Sequence, residues 1–470
     1  MKFHRNIKGN ELRKINGRYE SRYLYDAEHV YKKLNEVSPS FCLAKWFNVS
    51  IHLPTGKTHS CYHPKSHHIP LEEIEKDPSA LHNTNYKKEQ RKKMLAGERP
   101  AECNFCWQME DHSDQLSDRA YRSKDVFSDE LIEEAKQLGF TGNAKPRYVE
   151  VNFNQACNFK CAYCSPVLST EWHKEITEHG PYVLQDRKHN DMTYMDKPNN
   201  SPDNPYVKAF WKWFPSIYPT LKKFRMTGGE PLMDKNTFKI FDYVKENPKD
   251  DLHLSITSNC CPPKGQWSKF MISMSEVCQK VDHFMLYCSL DTWGPQAEYI
   301  RNGMNFSKLL SNVEDFLRTC DRHSLTFIIT FNVFSYNGIL NYIENILKLR
   351  RKYSIERQLV WFDIPPLHSP DFMNAKLYPE GINELKKCIE FMEKYKDGET
   401  EKEFQGFSDF EIKKIQRLID WIEAPTDFNK PVAMKNFYKF FIEHDRRRKT
   451  NLLNTFPQME DFWEECKWTE

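Results

Sequence analysis

Three cysteines fall within eight residues in CNFKCAYC, Cys157, Cys161 and Cys164, directly after the apolar, β-prone run YVEVNF. Thiolates at that density hold soft metals or iron-sulfur clusters. A closed tetrahedral zinc site takes four protein ligands. Three cysteines therefore imply a distant fourth ligand, a coincidence of thiols, or a metal position left open to another molecule. A 4Fe-4S cube held by three cysteines has such an open iron. A second set, Cys42, Cys61, Cys103 and Cys106, lies in the first quarter of the chain. The other seven cysteines (Cys260, Cys261, Cys278, Cys288, Cys320, Cys388 and Cys466) are read mainly as small buried hydrophobes.

The thiols point to metal rather than disulfides, because the basic N-terminus MKFHRNIKGNELRKING lacks the apolar core of a signal peptide and the cytosol keeps cysteine reduced. No run of 18 apolar residues occurs, so a cytoplasmic protein without a membrane span is expected. Sixty-eight basic against 66 acidic residues give a formal charge of +2, which argues against the strongly basic face of a general nucleic-acid binder. The runs KKEQRKK and RRRK are read as solvated faces. A length of 470 residues exceeds one small core, so two or three domains are expected.

From about Pro146, β-prone runs recur: YVEVNF, LKKFRMT, LHLSITS, HFMLYCSL, TFIITFNVF and RQLVWFDI, each followed by a segment of helical period. Strands alternating with helices predict an α/β fold with a parallel, helix-covered sheet. Residues 42–125 read as loop-rich, with a short helix in YKKEQRKKMLAG ended by Gly97. Residues 168–205 form a long polar stretch, of the kind that is a lid or is disordered. From Asp371 to the end the chain reads as helices; NFYKFFIEHDRRRKTNLLNTFPQMEDFW is expected to pack inward rather than dock a partner.

LKKFRMT runs into Gly228-Gly229-Glu230-Pro231. A glycine pair lets backbone approach a small ligand, and a carboxylate beside it can accept hydrogen bonds from an ammonium. With Cys-x3-Cys-x2-Cys and the aromatic Tyr163, this resembles the radical S-adenosylmethionine (SAM) superfamily. The resemblance covers roughly residues 40–110 and 146–340. It implies that Cys157, Cys161 and Cys164 hold a 4Fe-4S cluster whose fourth iron chelates the methionine moiety, and that the GGEP segment binds the amino group of S-adenosylmethionine. It also implies cofactor contacts at Ser258 and Asn259, where Cys260 stands in place of a glycine, and at Ser289, Asp291 and Arg301. Asn332 and Val333 match a further family pattern, and an Asn there is also an ordinary turn former.

Thirteen residues separate Cys42 from Gly56 and four separate Gly56 from Cys61, with Cys103-x2-Cys106 much later. This order resembles the auxiliary-cluster half-domain called twitch, a short form of SPASM, which implies a second 4Fe-4S cluster. In relatives that domain usually follows the barrel; here it precedes it. The competing reading is a structural zinc site, with His59, His63, His67 and His68 as further candidate ligands.

The expected architecture is an α/β chain: an N-terminal twitch-like domain over 1–125, a partial (β/α)6 TIM-like barrel over 146–370, and a helical region over 371–470. The resemblance implies reductive cleavage of S-adenosylmethionine to a 5′-deoxyadenosyl radical, which takes a substrate hydrogen, with a flavodoxin or ferredoxin as electron donor. An oxidative modification of a peptide or protein is preferred. The alternatives are a dehydrogenase or rearrangement enzyme acting on a sugar or nucleotide, and a non-catalytic zinc or iron-sulfur scaffold. No catalytic acid or base is identified: Glu150, Asp291, Asp363 and His368 lie at or near strand ends, where each is as well explained structurally.

Overall fold

The computed structural model describes residues 27–112, 116–124, 128–185, 189–397 and 405–469, together with the backbone of three short antiparallel strands: β1 (Phe3–Arg5), β2 (Glu11–Ile15) and β3 (Arg18–Tyr19). Much of the basic N-terminal run read above lies outside the described residues. The chain divides into two units. One comprises Met1–Asn154, Pro198–Thr227 and Lys249–Leu254; the other comprises Gln155–Lys197, Gly228–Pro248 and Ser255–Glu470.

In the first unit, β4 (Asn48–His52) pairs with the antiparallel strand β5 (Lys57–His59), which pairs in turn with β6 (His67–His68). The other edge of β4 runs parallel to β7 (Tyr148–Asn152), with Ser50 opposite Glu150, and β7 runs parallel to β8 (Lys223–Thr227), with Glu150 opposite Arg225. The stretch read as loop-rich thus contributes strands to the same sheet as YVEVNF. Along β7 and β8, Val149, Val151, Phe224 and Met226 are buried on one face, and polar residues alternate on the other. The helix Pro205–Ile217, opened by a proline whose missing N–H costs nothing there, lays Phe210 and Phe214 against Phe224. A second core gathers Phe41, Trp46, Phe47, Met94, Trp107 and Ile132 around Cys103 and Cys106.

In the second unit, the end of β9 (Lys249–Ser258) is followed by β10 (Val281–Ser289), β11 (Ser324–Ile328) and β12 (Val360–Asp363). The last three are parallel, Ser289 facing Ile328 and Ile328 facing Asp363. The helices Lys235–Glu246, Gln266–Val277, Phe306–Thr319 and Ile339–Tyr353 alternate with them, as βαβ connections require. Four of the five β11 residues are buried, as in a sheet covered on both faces. The helix Lys430–Arg448 buries Phe437, Phe440 and Phe441 among Trp172, Tyr182 and Phe334. Among the described residues, no helix is long and apolar enough to cross a membrane.

Two readings are corrected here. The polar stretch 168–205 contains the helix Thr170–His179, which starts where the Ser169 side chain accepts the Trp172 N–H and is anchored by buried Trp172 and Ile176. The basic runs are not simply solvated. In the helix Asn85–Leu95, Lys87 and Arg91 are buried on carbonyls, Lys87 on Asn48 and Arg91 on Lys45. The Arg448 side chain of RRRK is also buried, on the Lys160 carbonyl and on Glu175. Buried backbone acceptors, which composition does not reveal, draw these cations inward.

Candidate cluster and cofactor site

The CNFKCAYC segment leaves β7 as an irregular loop whose outward polar groups are taken up one by one. The Ala162 and Lys160 N–H groups donate to the Ile300 and Asn302 carbonyls at 2.7 and 2.9 Å. Thr170 Oγ1 donates to the Cys157 carbonyl at 3.0 Å, and Trp172 Nε1 to that of Cys161 at 2.7 Å. Gly303, at φ +106°, is the residue that lets the 300–303 segment lie this close: a Cβ there would stand 2.6 Å from the Asn158 carbonyl. Trp172 and Thr170 were not among the expected site residues, although the helical period of TEWHKEI carries their signal.

Cys157 and Cys161 are buried and Cys164 is half-buried, all three as free thiols. Burial pushes Cys164 up to about 12 and the other two upward as well. A bound metal therefore displaces protons from all three. Three soft donors on one short loop fit a 4Fe-4S cube that keeps one iron open.

The Gly228-Gly229-Glu230-Pro231 turn lies backbone to backbone on this loop. The Glu230 N–H donates to the Ala156 carbonyl at 2.6 Å, and a Cβ on Gly229 would lie 2.4 Å from that oxygen. The Glu230 carboxylate is buried and turned into its own unit. It accepts from Leu232 N–H at 3.0 Å, Ser258 Oγ at 2.9 Å and Asn259 N–H at 2.7 Å. Despite those donors, burial raises its pKa to about 7. Asn259 also bonds Asn158 at 3.0 Å, tying the end of β9 to the cysteine loop. Cys260 adopts φ +54°, a left-handed backbone that glycine takes without strain.

Arg301 Nη2 reaches Asp291 Oδ1 at 2.8 Å, while Nη1 lies 3.8 Å from Cys161 Sγ. Tyr163 donates to Asp291 Oδ2 at 2.9 Å, and the guanidinium lies 5.6 Å from its ring. Arg301 Nε is buried without a hydrogen-bond partner, an unsatisfied donor on the guanidinium whose Nη1 lies against Cys161. Ser289 ends β10. Asn332 accepts the Phe334 N–H and donates to the Thr330 carbonyl, as a turn former does. The structure therefore brings Cys157, Cys161, Cys164, Tyr163, Asp291 and Arg301 together, with Gly229, Glu230 and Asn259 against the same loop, Gly228 and Pro231 flanking them in the turn, and Ser258 bonded to Glu230.

In the first unit, Cys42, Cys61, Cys103 and Cys106, from three chain segments, line one cavity with Lys45, His63 and Arg122. Gly56, at φ +59° in the β4–β5 turn, packs so tightly on Tyr206 that a Cβ would clash with its ring, which fixes the hairpin leading to Cys61. Burial pushes Cys103 and Cys106 up to about 12. Lys45 is buried in an ion pair with Glu102. His63 pairs with Asp118 at 2.7 Å, and His67 with Thr84 Oγ1 at 2.9 Å. Among the described residues, no three His, Cys, Asp or Glu side chains form a group that could hold a single metal ion.

The remaining acid or base candidates are held by neighbours. Glu150 accepts from Tyr62 and Tyr148 at 3.2 Å, Asp363 pairs with Lys414 at 3.0 Å, and His368 meets Trp421 edge to face.

No family model matches the chain. Over 119 residues, 25% of this chain and 29% of the relative, it is 29% identical to GTP 3′,8-cyclase of Campylobacter lari. It is 31% identical to the enzyme of that name from Aliarcobacter butzleri, again over 119 residues, 24% of this chain and 28% of the relative. The chain thus spans under a third of the length of these curated relatives. Among solved structures it is similar to anSMEcpe with bound AdoMet (18% identity, 52% of this chain and 58% of that chain, TM-score 0.33). It is also similar to Streptococcus suis SuiB bound to precursor peptide SuiA (14%, 74% and 68%, TM-score 0.35). Over those 119 residues the chain is similar in sequence to enzymes named GTP 3′,8-cyclase.

Proposed function

We propose that this chain is a radical SAM enzyme that oxidatively modifies a peptide or protein, using a second 4Fe-4S cluster at Cys42, Cys61, Cys103 and Cys106 as electron acceptor. The observation that carries the second cluster is the gathering of these four cysteines, distant in sequence, on one cavity. When bound, the first cluster and S-adenosylmethionine would supply radical chemistry at an unactivated carbon, which side chains alone do not provide. Cys157, Cys161 and Cys164 hold iron. The GGEP turn offers backbone to the amino group, and Arg301 brings a fixed cation beside Cys161. Cys42, Cys61, Cys103 and Cys106 would hold such a cluster with no iron left open, so the chemistry it would supply is electron transfer rather than substrate binding. The strands β7 to β12 are read as a partial (β/α)6 barrel, and a flavodoxin or ferredoxin as the electron donor.

A second reading, oxidation or rearrangement of a nucleotide or other small molecule, is favoured by the curated relatives, which are named for a reaction of GTP. Saturating candidate peptides and nucleotides, each tested for stimulation of 5′-deoxyadenosine formation, separate the two readings. Iron, sulfide and spin-resonance analysis of anaerobically reconstituted protein tests the core of the proposal. About eight irons per chain, falling to about four when Cys157, Cys161 and Cys164 are all alanine, is the expected result. Colourless protein carrying stoichiometric zinc leaves only a scaffold.

A further inference from the structure

The last turn of the helix Lys430–Arg448 ends on the cysteine loop. Arg448 Nη1 donates to the Lys160 carbonyl at 2.8 Å, the peptide oxygen immediately before Cys161. Its Nε and Nη2 reach Glu175 at 3.1 and 3.3 Å, and its guanidinium lies 4.9 Å from the ring of Trp172, whose own N–H holds the Cys161 carbonyl. The Arg448 side chain is wholly buried, and Glu175 is 2% exposed. Glu175 also takes Lys160 Nζ and the Tyr182 hydroxyl, each at 2.6 Å. Helix, cysteine loop and the helix Thr170–His179 therefore meet at one carboxylate. The arginine's own placement is fixed from the far side: Lys449 takes a left-handed turn at φ +53°, and Asp445 accepts from Tyr299, Thr450 and the Leu452 N–H.

A buried arginine costs desolvation that surface placement would avoid, so one that spends its donors on a loop carbonyl and on the carboxylate of the flanking helix is tied to that loop's shape. Two cations and one anion meet here, so the cluster of Arg448, Lys160 and Glu175 leaves a net positive charge beside three ligands that carry negative charge once iron binds. We propose that Arg448 is a positioning residue for the Cys157, Cys161 and Cys164 loop, through which the C-terminal helix presets the thiols for iron and favours the reduced cluster. This rests on the reading that those three cysteines hold the cluster.

The test uses the full chain with Arg448→Gln, Arg448→Lys and Glu175→Gln. In metal-free protein, amide exchange at Lys160 and Ala162 is expected to quicken roughly tenfold in Arg448→Gln while that of β10 and β11 is unchanged. After reconstitution, Arg448→Gln should lose iron faster to a chelator, shift the spin-resonance signal of the reduced cluster and lower its midpoint potential. Arg448→Lys, which keeps the charge but not the fork, should restore the potential more than the exchange protection. If Arg448→Gln does not fold, Glu175→Gln carries the test, because it frees the guanidinium from its carboxylate and should loosen the same two amides. Unchanged loop exchange together with unchanged iron retention overturns the proposal. Wild-type protein that binds no cluster through these cysteines overturns the underlying reading instead, and the metal-free exchange result still decides whether Arg448 orders the loop.

Discussion

Arg301 and Asp291 form an ion pair of 2.8 Å in which the arginine side chain is 7% exposed and the aspartate 0%. At that burial the pair is expensive to form and more expensive to break, because the surviving partner keeps an uncompensated charge. Asp291→Ala is expected to cost about 3–5 kcal/mol in the denaturant stability of metal-free protein. Tyr163→Phe, which removes one hydrogen bond to the same carboxylate, should cost about 1.5–3 kcal/mol. A loss below about 1 kcal/mol for Asp291→Ala would show that Arg301 finds another partner.

Gly229 is where the sequence motif has its plainest steric cause. An added methyl stands 2.4 Å from the Ala156 carbonyl and 2.7 Å from the Gln155 carbonyl, both backbone atoms with little freedom to retreat. Gly229→Ala is therefore expected to push the GGEP turn off the cysteine loop, at about 1–3 kcal/mol in stability and with weakened S-adenosylmethionine binding by calorimetry. Gly180→Ala is the control: Gly180 sits at φ +75°, where a side chain strains the backbone, but nothing lies within 4 Å of the added carbon, whereas Gly229 has the close contact without the positive φ. Equal loss of cofactor binding in both variants would show that the contact with the Ala156 carbonyl is not what matters.

The six β-prone runs from YVEVNF to RQLVWFDI all form strands, since period-two burial in β9 and β10 is a local property that survives any tertiary context. The cysteine loop and the GGEP turn were legible for a related reason: spacing of thiols and absence of side chains are written in the residues themselves. β4 was not read, because its apolar residues are short and merge with Trp46 and Phe47 before it, and its partner β7 lies about a hundred residues away. Lys87, Arg91 and Arg448 were misread because the carbonyls that draw them inward belong to other segments. The role of Arg448 needed three elements to be placed first.

Cys260 stands where relatives were expected to have glycine, and its φ of +54° supplies the reason for that expectation. A left-handed residue costs about 1–2 kcal/mol when it carries a Cβ, while its wholly buried thiol returns part of that through packing. Cys260→Gly is expected to be within about 1 kcal/mol of wild type by thermal or denaturant unfolding, the two effects offsetting. Cys260→Val, β-branched at the same φ, should lose more than about 2 kcal/mol. A valine variant as stable as wild type would mean that the backbone there relaxes freely.

Glu230 makes stability fall with rising pH, the reverse of a salt-bridged carboxylate. Its folded pKa is raised to about 7 by burial from an ordinary value of 4.5, and the donors from Asn259, Leu232 and Ser258 only partly oppose the shift. Between those two values the folded state holds a proton that the unfolded state has released, so the stability contributed below pH 4.5 is lost as pH climbs through 7. The slope is about 1.4 kcal/mol per pH unit at most, for a total on the order of 3 kcal/mol. In metal-free protein, Glu230→Gln should remove this decline: the difference in denaturant stability between variant and wild type should grow in the variant's favour from pH 4.5 to 7 and level off above. A constant difference across that range would mean that the three donors hold the carboxylate ionised, and that the GGEP turn carries a permanent buried charge beside the cysteine loop.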